Sequence, residues 1–216
     1  MWYLANPSTQ RVRDAMLDHR NHLGLITTPK QGNRHVPGAK FGADNGCYGG
    51  GYPGEDKWWA WLGSLAPYAA DCLFAVAPDV FDPVAGKGDA VATLERSAPW
   101  LPRIRALGMP AALVAQDGLE DLDVPWDTFD VLFIGGSTEW KLGPHAARLI
   151  REAKIHGKFV HMGRVNSRER LLGAHLRGCD TADGTYIAFG PDVNLPDVLA
   201  WLREVNDQAD LFGDAA

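Results

Sequence analysis

Sulfur is scarce in this chain. Its 216 residues hold three cysteines, Cys47, Cys72 and Cys179, with no C-x-x-C pair and no Cys/His cluster. That spacing excludes a disulfide framework and a zinc site, and it places the expected location in a reducing cytoplasm. Long apolar runs are missing too. None approaches the ~20 residues of a spanning helix, so no membrane partner is expected. The opening Met1-Trp2-Tyr3-Leu4-Ala5-Asn6 is uncharged and too short for a signal peptide, and it reads as a strand. No G-x-G-x-x-G follows that strand, which weakens a dinucleotide-binding reading. Internal repeats and low-complexity segments are absent as well.

What is present suits a globular fold with a sizeable core: 46% of residues are hydrophobic and 22% charged. Charge is unevenly placed. The total is −6, yet the stretch from Lys141 to Arg177 holds nine Lys/Arg against two acids, Glu152 and Glu169. Such a run reads either as solvated helix faces or as a basic flank for phosphates.

Short apolar stretches predict eight strands: Trp2 to Asn6, Leu23 to Thr27, Lys40 to Asp44, Cys72 to Ala77, Ala111 to Ala115, Asp130 to Ile134, Phe159 to Met162 and Cys179 to Asp183. Amphipathic segments lie between most of them. Arg11 to His19, the Trp-rich Lys57 to Leu65, Asp89 to Leu107 with interruptions at Pro99 and Pro102, Gly143 to His156, Ser167 to Arg177 and Leu195 to Asn206 read as helices. Pro29 to Gly38 reads as a mobile loop. The pattern predicts an α/β fold, a compact (β/α)8 TIM-like barrel over residues 1–206, with a frayed tail at 207–216. A doubly wound open sheet is the alternative.

Polar residues recur where these strands stop. In a barrel those positions converge on one mouth, bringing Asp44, Asp79, Gln116, Gly135-Gly136, Met162 and Asp183 together. Asp and Gln side chains with the backbone of a glycine pair can bond the edge of a nucleobase. Tyr48 and Met162 can sandwich a flat ring. Two further carboxylates can share nucleophile and acid–base duties, as in retaining glycosyl transfer. Gly163-Arg164 and the helix start at Ser167 occupy the position after strand seven where barrels often bind phosphate. Asp180, three residues before Asp183, either orients the site or caps a turn. His161 reads as a satisfied strand histidine, and Cys47 has no neighbouring base to activate it.

These motifs resemble the tRNA-guanine transglycosylase superfamily, most closely the deazapurine DNA-modification transglycosylase (DpdA) family. Asp44-Asn45-Gly46-Cys47-Tyr48 resembles that family's Asp-Ser-Gly-Gly-aromatic motif. Pro78-Asp79, Gln116-Asp117-Gly118, Gly135-Gly136 with Glu139, Met162-Gly163 and Gly178-Cys179-Asp180-Thr181-Ala182-Asp183 resemble its further motifs in order. The resemblance implies that Asp183 attacks C1′ and Asp44 serves as acid–base partner. It implies that Asn45, Asp79, Gln116, Gly135, Gly136, Glu139, Gly163 and Arg164 contact the substrate, with Tyr48 and Met162 stacking on the base. The implied partners are a nucleic acid and a free guanine or 7-deazaguanine base; because a 216-residue barrel has little surface for holding a duplex open, single strands or a helper protein are expected as well. Neither metal nor cofactor is implied. The zinc subdomain of the tRNA-modifying branch has no counterpart here, which favours DNA over tRNA. A small-molecule nucleoside or nucleotide glycosyl hydrolase or transferase, and a non-catalytic purine or nucleic-acid binder, stay open as alternatives.

Overall fold

The computed structural model describes residues 1–31 and 35–213, with side chains as far as residue 207. Eight parallel strands close into a barrel in the order β1-β10-β9-β8-β7-β4-β3-β2. They are β1 (Trp2–Ala5), β2 (Leu23–Thr27), β3 (Phe41–Ala43), β4 (Cys72–Val76), β7 (Ala111–Ala115), β8 (Val131–Ile134), β9 (Phe159–Met162) and β10 (Thr181–Gly184). A small antiparallel ribbon, β5 (Phe81–Asp82) with β6 (Lys87–Gly88), follows β4. The first and last barrel strands pair, with Trp2 beside Thr181 and Leu4 beside Asp183. That closure rules out the open doubly wound sheet.

Helices form where local signals call for them. Thr9 caps α1 (Gln10–Asp18), and Asp89 caps α3 (Ala90–Ser97). Ser137 caps α5 (Thr138–Leu142), and Ser167 caps α7 (Arg168–Leu176). Each offers a side-chain oxygen to an N–H that the first turn leaves free. The interruption expected at Pro99 and Pro102 divides Asp89 to Leu107 into two helices, α3 and α4 (Leu101–Ala106), and Pro102 suits the first turn of the second. The remaining helices are α2 (Glu55–Ser64), α6 (Pro144–Ile155), α8 (Tyr186–Phe189) and α9 (Pro191–Gly213). The ribbon, α5 and α8 are too short to show a period, so the sequence pattern misses them. In the tail expected to fray, 207–216, helix α9 runs as far as Gly213, and 214–216 lie outside the described residues. The central residues of the expected mobile loop, 32–34, also lie outside them. No helix among the described residues is long and apolar enough to cross a membrane.

Economy of connection explains how 216 residues suffice for a fold that usually takes about 250. Between β2 and β3 the described residues form no helix, and after β7 come only two short 3-10 turns, Leu119–Asp121 and Trp126–Thr128.

Alternation along the strands builds two cores. Tyr3, Leu25, Phe41, Leu113, Leu132 and Val160 face outward and pack with helix residues such as Met16, Trp58, Leu62 and Leu149. Trp58 is fully buried and touches Trp59 and Trp100, so the tryptophan cluster is packing rather than a stacking platform. Leu4, Ile26, Phe74, Val76, Ala112, Val114, Val131 and Phe133 form a separate cluster that fills the barrel interior.

The interior is full. A Cβ added at Gly42 would lie 2.5 Å from Cζ of Phe74 and 3.0 Å from Cδ1 of Leu4. Gly42→Ala is therefore expected to cost ~1–3 kcal/mol through overpacking. Urea unfolding should show a lower midpoint at unchanged slope. A midpoint equal to wild type would mean that the interior has room to spare.

Candidate active site

One pocket opens at the carboxyl ends of the barrel strands. Its space is about 490 Å³, open mouth included. Val76, Val114 and Phe133 give it apolar walls. Ten of the twelve residues singled out from sequence line it: Asp44, Asn45, Tyr48, Asp79, Gln116, Gly135, Gly136, Gly163, Arg164 and Asp183. The strands deliver them by alternation. Asp44, Gln116, Gly135, Gly163 and Asp183 each stand an even number of residues from an inward-facing neighbour, so each faces the interior as its strand ends.

Two residues do not join them. Met162 is fully buried in the core between sheet and helices, because its neighbours His161 and Gly163 take the inward positions. Glu139 is exposed in the first turn of α5 and does not line the pocket. Asp180 lies at the other end of β10. There it accepts bonds from Lys154 Nζ at 2.8 and 2.9 Å and from the Val160 N–H at 2.7 Å. It is a structural ion pair and orients nothing at the mouth.

A continuous chain of hydrogen bonds crosses one side of the pocket. Asn45 Nδ2 donates to Asp79 Oδ1 at 2.9 Å, and Gln116 Nε2 donates to Asp79 Oδ2 at 2.7 Å. Gln116 Oε1 then accepts from the Gly136 N–H at 3.1 Å. Asn45 also ties this chain to the Ala77 carbonyl at 2.8 Å and, through Oδ1, to the Cys47 N–H at 2.7 Å. Four separate stretches thus share one network. Burial pushes the Asp79 carboxyl pKa up, and donors from Asn45, Cys47 and Gln116 pull it back. Burial also raises the Cys47 pKa, and nearby Asp79 adds to that, so Cys47 stays a neutral thiol.

Helix α3 supports this network from behind. Ser97 Oγ donates to the Pro78 carbonyl at 2.9 Å, Arg96 to the Asp79 carbonyl at 3.0 Å, and Thr93 Oγ1 accepts from the Val80 N–H at 3.0 Å. Gly136 turns with φ +41°, and a Cβ there would lie 2.4 Å from Trp140 Cε3. Only glycine fits that corner.

Asp44 and Asp183 are the remaining acids. Burial, with the charges of Asp183 and Asp79 nearby, pushes the Asp44 pKa up to about 7, although the Gly46 N–H donates to its Oδ1 at 3.0 Å. Asp183 stands on β10 with Oδ1 2.9 Å from Nε2 of His161.

Arg164 roofs the pocket. It is the one non-glycine residue with positive φ (62°) among the described residues. Its guanidinium donates to the Gly135 carbonyl at 2.8 Å and to the Gly136 carbonyl, and it lies 4.1 Å from the centre of the Tyr48 ring. Tyr48 in turn rests on Phe81 of the ribbon at 4.7 Å. Here the Arg164 guanidinium is engaged by carbonyls and a ring rather than free for a phosphate.

Lys141 was not foreseen. It is buried beneath the loop after β9 and donates to the Gly163 carbonyl at 2.6 Å. Burial, with Arg164 nearby, lowers its pKa to about 7. A lysine in a charged run gives no sequence sign of burial. Much of that run is internally paired: Arg148 with Glu152, Lys154 with Asp180 and Arg168 with Glu204. Arg177 bonds the Gly173 and Leu142 carbonyls. Among the described residues no group of three His, Cys, Asp or Glu is arranged to hold a metal ion.

Asp44 sets a pH dependence of stability. Its folded pKa of about 7 lies above the ordinary 3.8, so between those values the folded state holds the extra proton. Its contribution to stability therefore falls as pH rises through that window. Melting temperatures from pH 4 to 7 should show wild type losing ground to Asp44→Asn as pH rises. Parallel curves for the two proteins would refute the raised pKa.

In comparison with known proteins, no family model and no curated protein matches the chain.

Proposed function

We propose that this protein is a base-exchanging transglycosylase that replaces guanine in a nucleic acid, DNA in preference to tRNA, with a 7-deazaguanine base. The observation that carries the reading is the shared pocket. Asp44 and Asp183 line it together with the Asp79–Gln116–Gly136 chain. The first pair supplies chemistry, and the chain supplies donors and acceptors suited to a purine edge.

In this reading an oxygen of ionised Asp183 attacks C1′ of the sugar. The C1′–N9 bond breaks, and its electron pair leaves with the base. Asp44 in its protonated form gives the departing purine a proton. The sugar is then held as an ester of Asp183. The incoming 7-deazaguanine attacks C1′ through N9, Asp183 departs with its electron pair, and Asp44 recovers a proton from the new base. Two inversions leave the configuration retained.

A second reading follows from the internal pairing of the basic run, which leaves fewer free cations for a polyanion. The same carboxylates would then act on a small nucleoside or nucleotide. A non-catalytic purine binder is the third, and it requires that no covalent adduct ever forms.

Trapping tests these readings. The protein is incubated with radiolabelled guanine and either guanine-containing single-stranded DNA, tRNA or guanosine. Label should enter DNA, and a denaturation-resistant adduct should form with wild type but not with Asp183→Asn. Exchange confined to guanosine would select the small-molecule reading. No exchange and no adduct with any substrate would sink glycosyl transfer.

The pH profile is a further test. If Asp44 must be protonated to assist departure, adduct formation should decline as pH rises through about 7. Asp44→Asn should be slower by roughly 10²–10⁴ and should lack that limb. A wild-type rate that keeps rising from pH 7 to 9 would exclude Asp44 as the acid.

A further inference from the structure

Beneath the pocket, the barrel interior holds a polar cluster outside the chain already described. His161 of β9 is fully buried. Its Nε2 lies 2.9 Å from Asp183 Oδ1, and its Nδ1 lies 2.7 Å from Thr181 Oγ1. Thr181 is fully buried and sits beside His161 in the strand register. The imidazole is wedged between two rings, Phe74 at 4.6 Å and Phe133 at 4.5 Å.

An ionised carboxylate can only accept, so Nε2 carries the hydrogen shared with Asp183. In the neutral imidazole Nδ1 is then the acceptor, and the Thr181 hydroxyl donates to it. The carboxylate thus selects the tautomer that donates to it, and the Thr181 hydroxyl complements that tautomer and pins the ring in place from the other side. The flanking rings prevent the imidazole from turning away. Among the described residues no side chain or N–H donates to Asp183 Oδ2, so the imidazole holds one oxygen of a carboxylate that lines the pocket and leaves the other without a protein donor.

We propose that Thr181 and His161 form a relay that positions the Asp183 carboxylate, fixing Oδ1 so that Oδ2 meets the anomeric carbon. The inference rests on the glycosyl-transfer reading, in which Asp183 is the nucleophile. His161 and Thr181 touch no substrate; they act through Asp183 as positioning residues. They predict a loss in the rate of the covalent step with no loss in recognition of the base, which belongs to the Asp79–Gln116–Gly136 chain on the far wall.

The test uses the full chain and guanine-containing single-stranded DNA. Single-turnover adduct formation is measured beside equilibrium binding of radiolabelled guanine. His161→Phe keeps a ring between Phe74 and Phe133 but removes the donor. Its adduct formation should slow by about 100-fold, the scale of misplacing a reacting group, while guanine binding stays within twofold. His161→Gln restores a donor and should recover most of the rate. A His161→Phe rate within twofold of wild type overturns the proposal, as does a parallel loss of guanine binding. Should His161→Phe fail to fold, Thr181→Val removes the hydroxyl at constant volume. A slowed adduct rescued by Thr181→Ser supports the relay, and an unchanged rate overturns it. Absence of any adduct in wild type overturns the glycosyl-transfer reading and the relay with it, an outcome distinct from a variant that matches an active wild type.

Discussion

Closure of eight parallel strands is the constraint on which everything else depends. It sends every second side chain into a single interior of fixed width. Apolar residues fill the lower part of that interior and make it rigid. At the upper end the same alternation has nothing left to fill, so whatever stands in the inward position becomes the wall of a pocket. Asp44, Gln116 and Asp183 meet there although 139 positions separate the first from the last. The helices do no chemistry directly. They hold the loops that follow the strands, as α3 does through Ser97, Arg96 and Thr93.

Three carboxylates in one confined mouth repel one another and lose hydration, and the structure deals with each differently. Asp79 is surrounded by donors. Asp44 holds a proton more tightly. Asp183 shares the hydrogen of a buried imidazole. A buried lysine and an arginine lie close on the other side, where Lys141 anchors the Gly163 carbonyl and Arg164 spans the opening. The result is a graded set of acids, and grading of that kind lets neighbouring carboxylates take opposite roles.

Much of this was legible in the sequence, and the failures have physical causes. Leu23–Thr27, Ala111–Ala115 and Phe159–Met162 follow directly from apolar runs bounded by polar turns. Most of the pocket residues are found because they stand where a strand stops, while Asn45 and Tyr48 lie in the loop beyond β3 and are picked out by their motif and by aromatic character. Met162 was misplaced for a reason the sequence already contained. It lies one residue from Gly163, and a strand cannot point both inward. The same parity makes His161 an interior residue, yet a histidine in a strand looks the same whether it holds a neighbouring carboxylate or merely fills space. Asp180 and Asp183 share a parity problem of their own: three apart, they cannot share a face. Lys141 and the ribbon behind Tyr48 depend on tertiary packing alone, and no local signal announces them.

The pairing of β1 with β10 has a consequence for the birth of the molecule. The strand that carries Asp183 is the last of the barrel to leave the ribosome, and its partner β1 is the first. Contacts so distant along the chain close late, because the loop entropy must be overcome before they give any return. During synthesis the seven earlier strands can assemble only as an open, curved sheet with two bare edges, one at β1 and one at β9. Such edges invite mispairing with neighbouring chains. Insertion of β10 removes both edges in one event and delivers the Asp183 carboxylate to the mouth in the same event. The nascent barrel is therefore adhesive until its last strand is in place, and its mouth gains the third carboxylate only at the moment it stops being so.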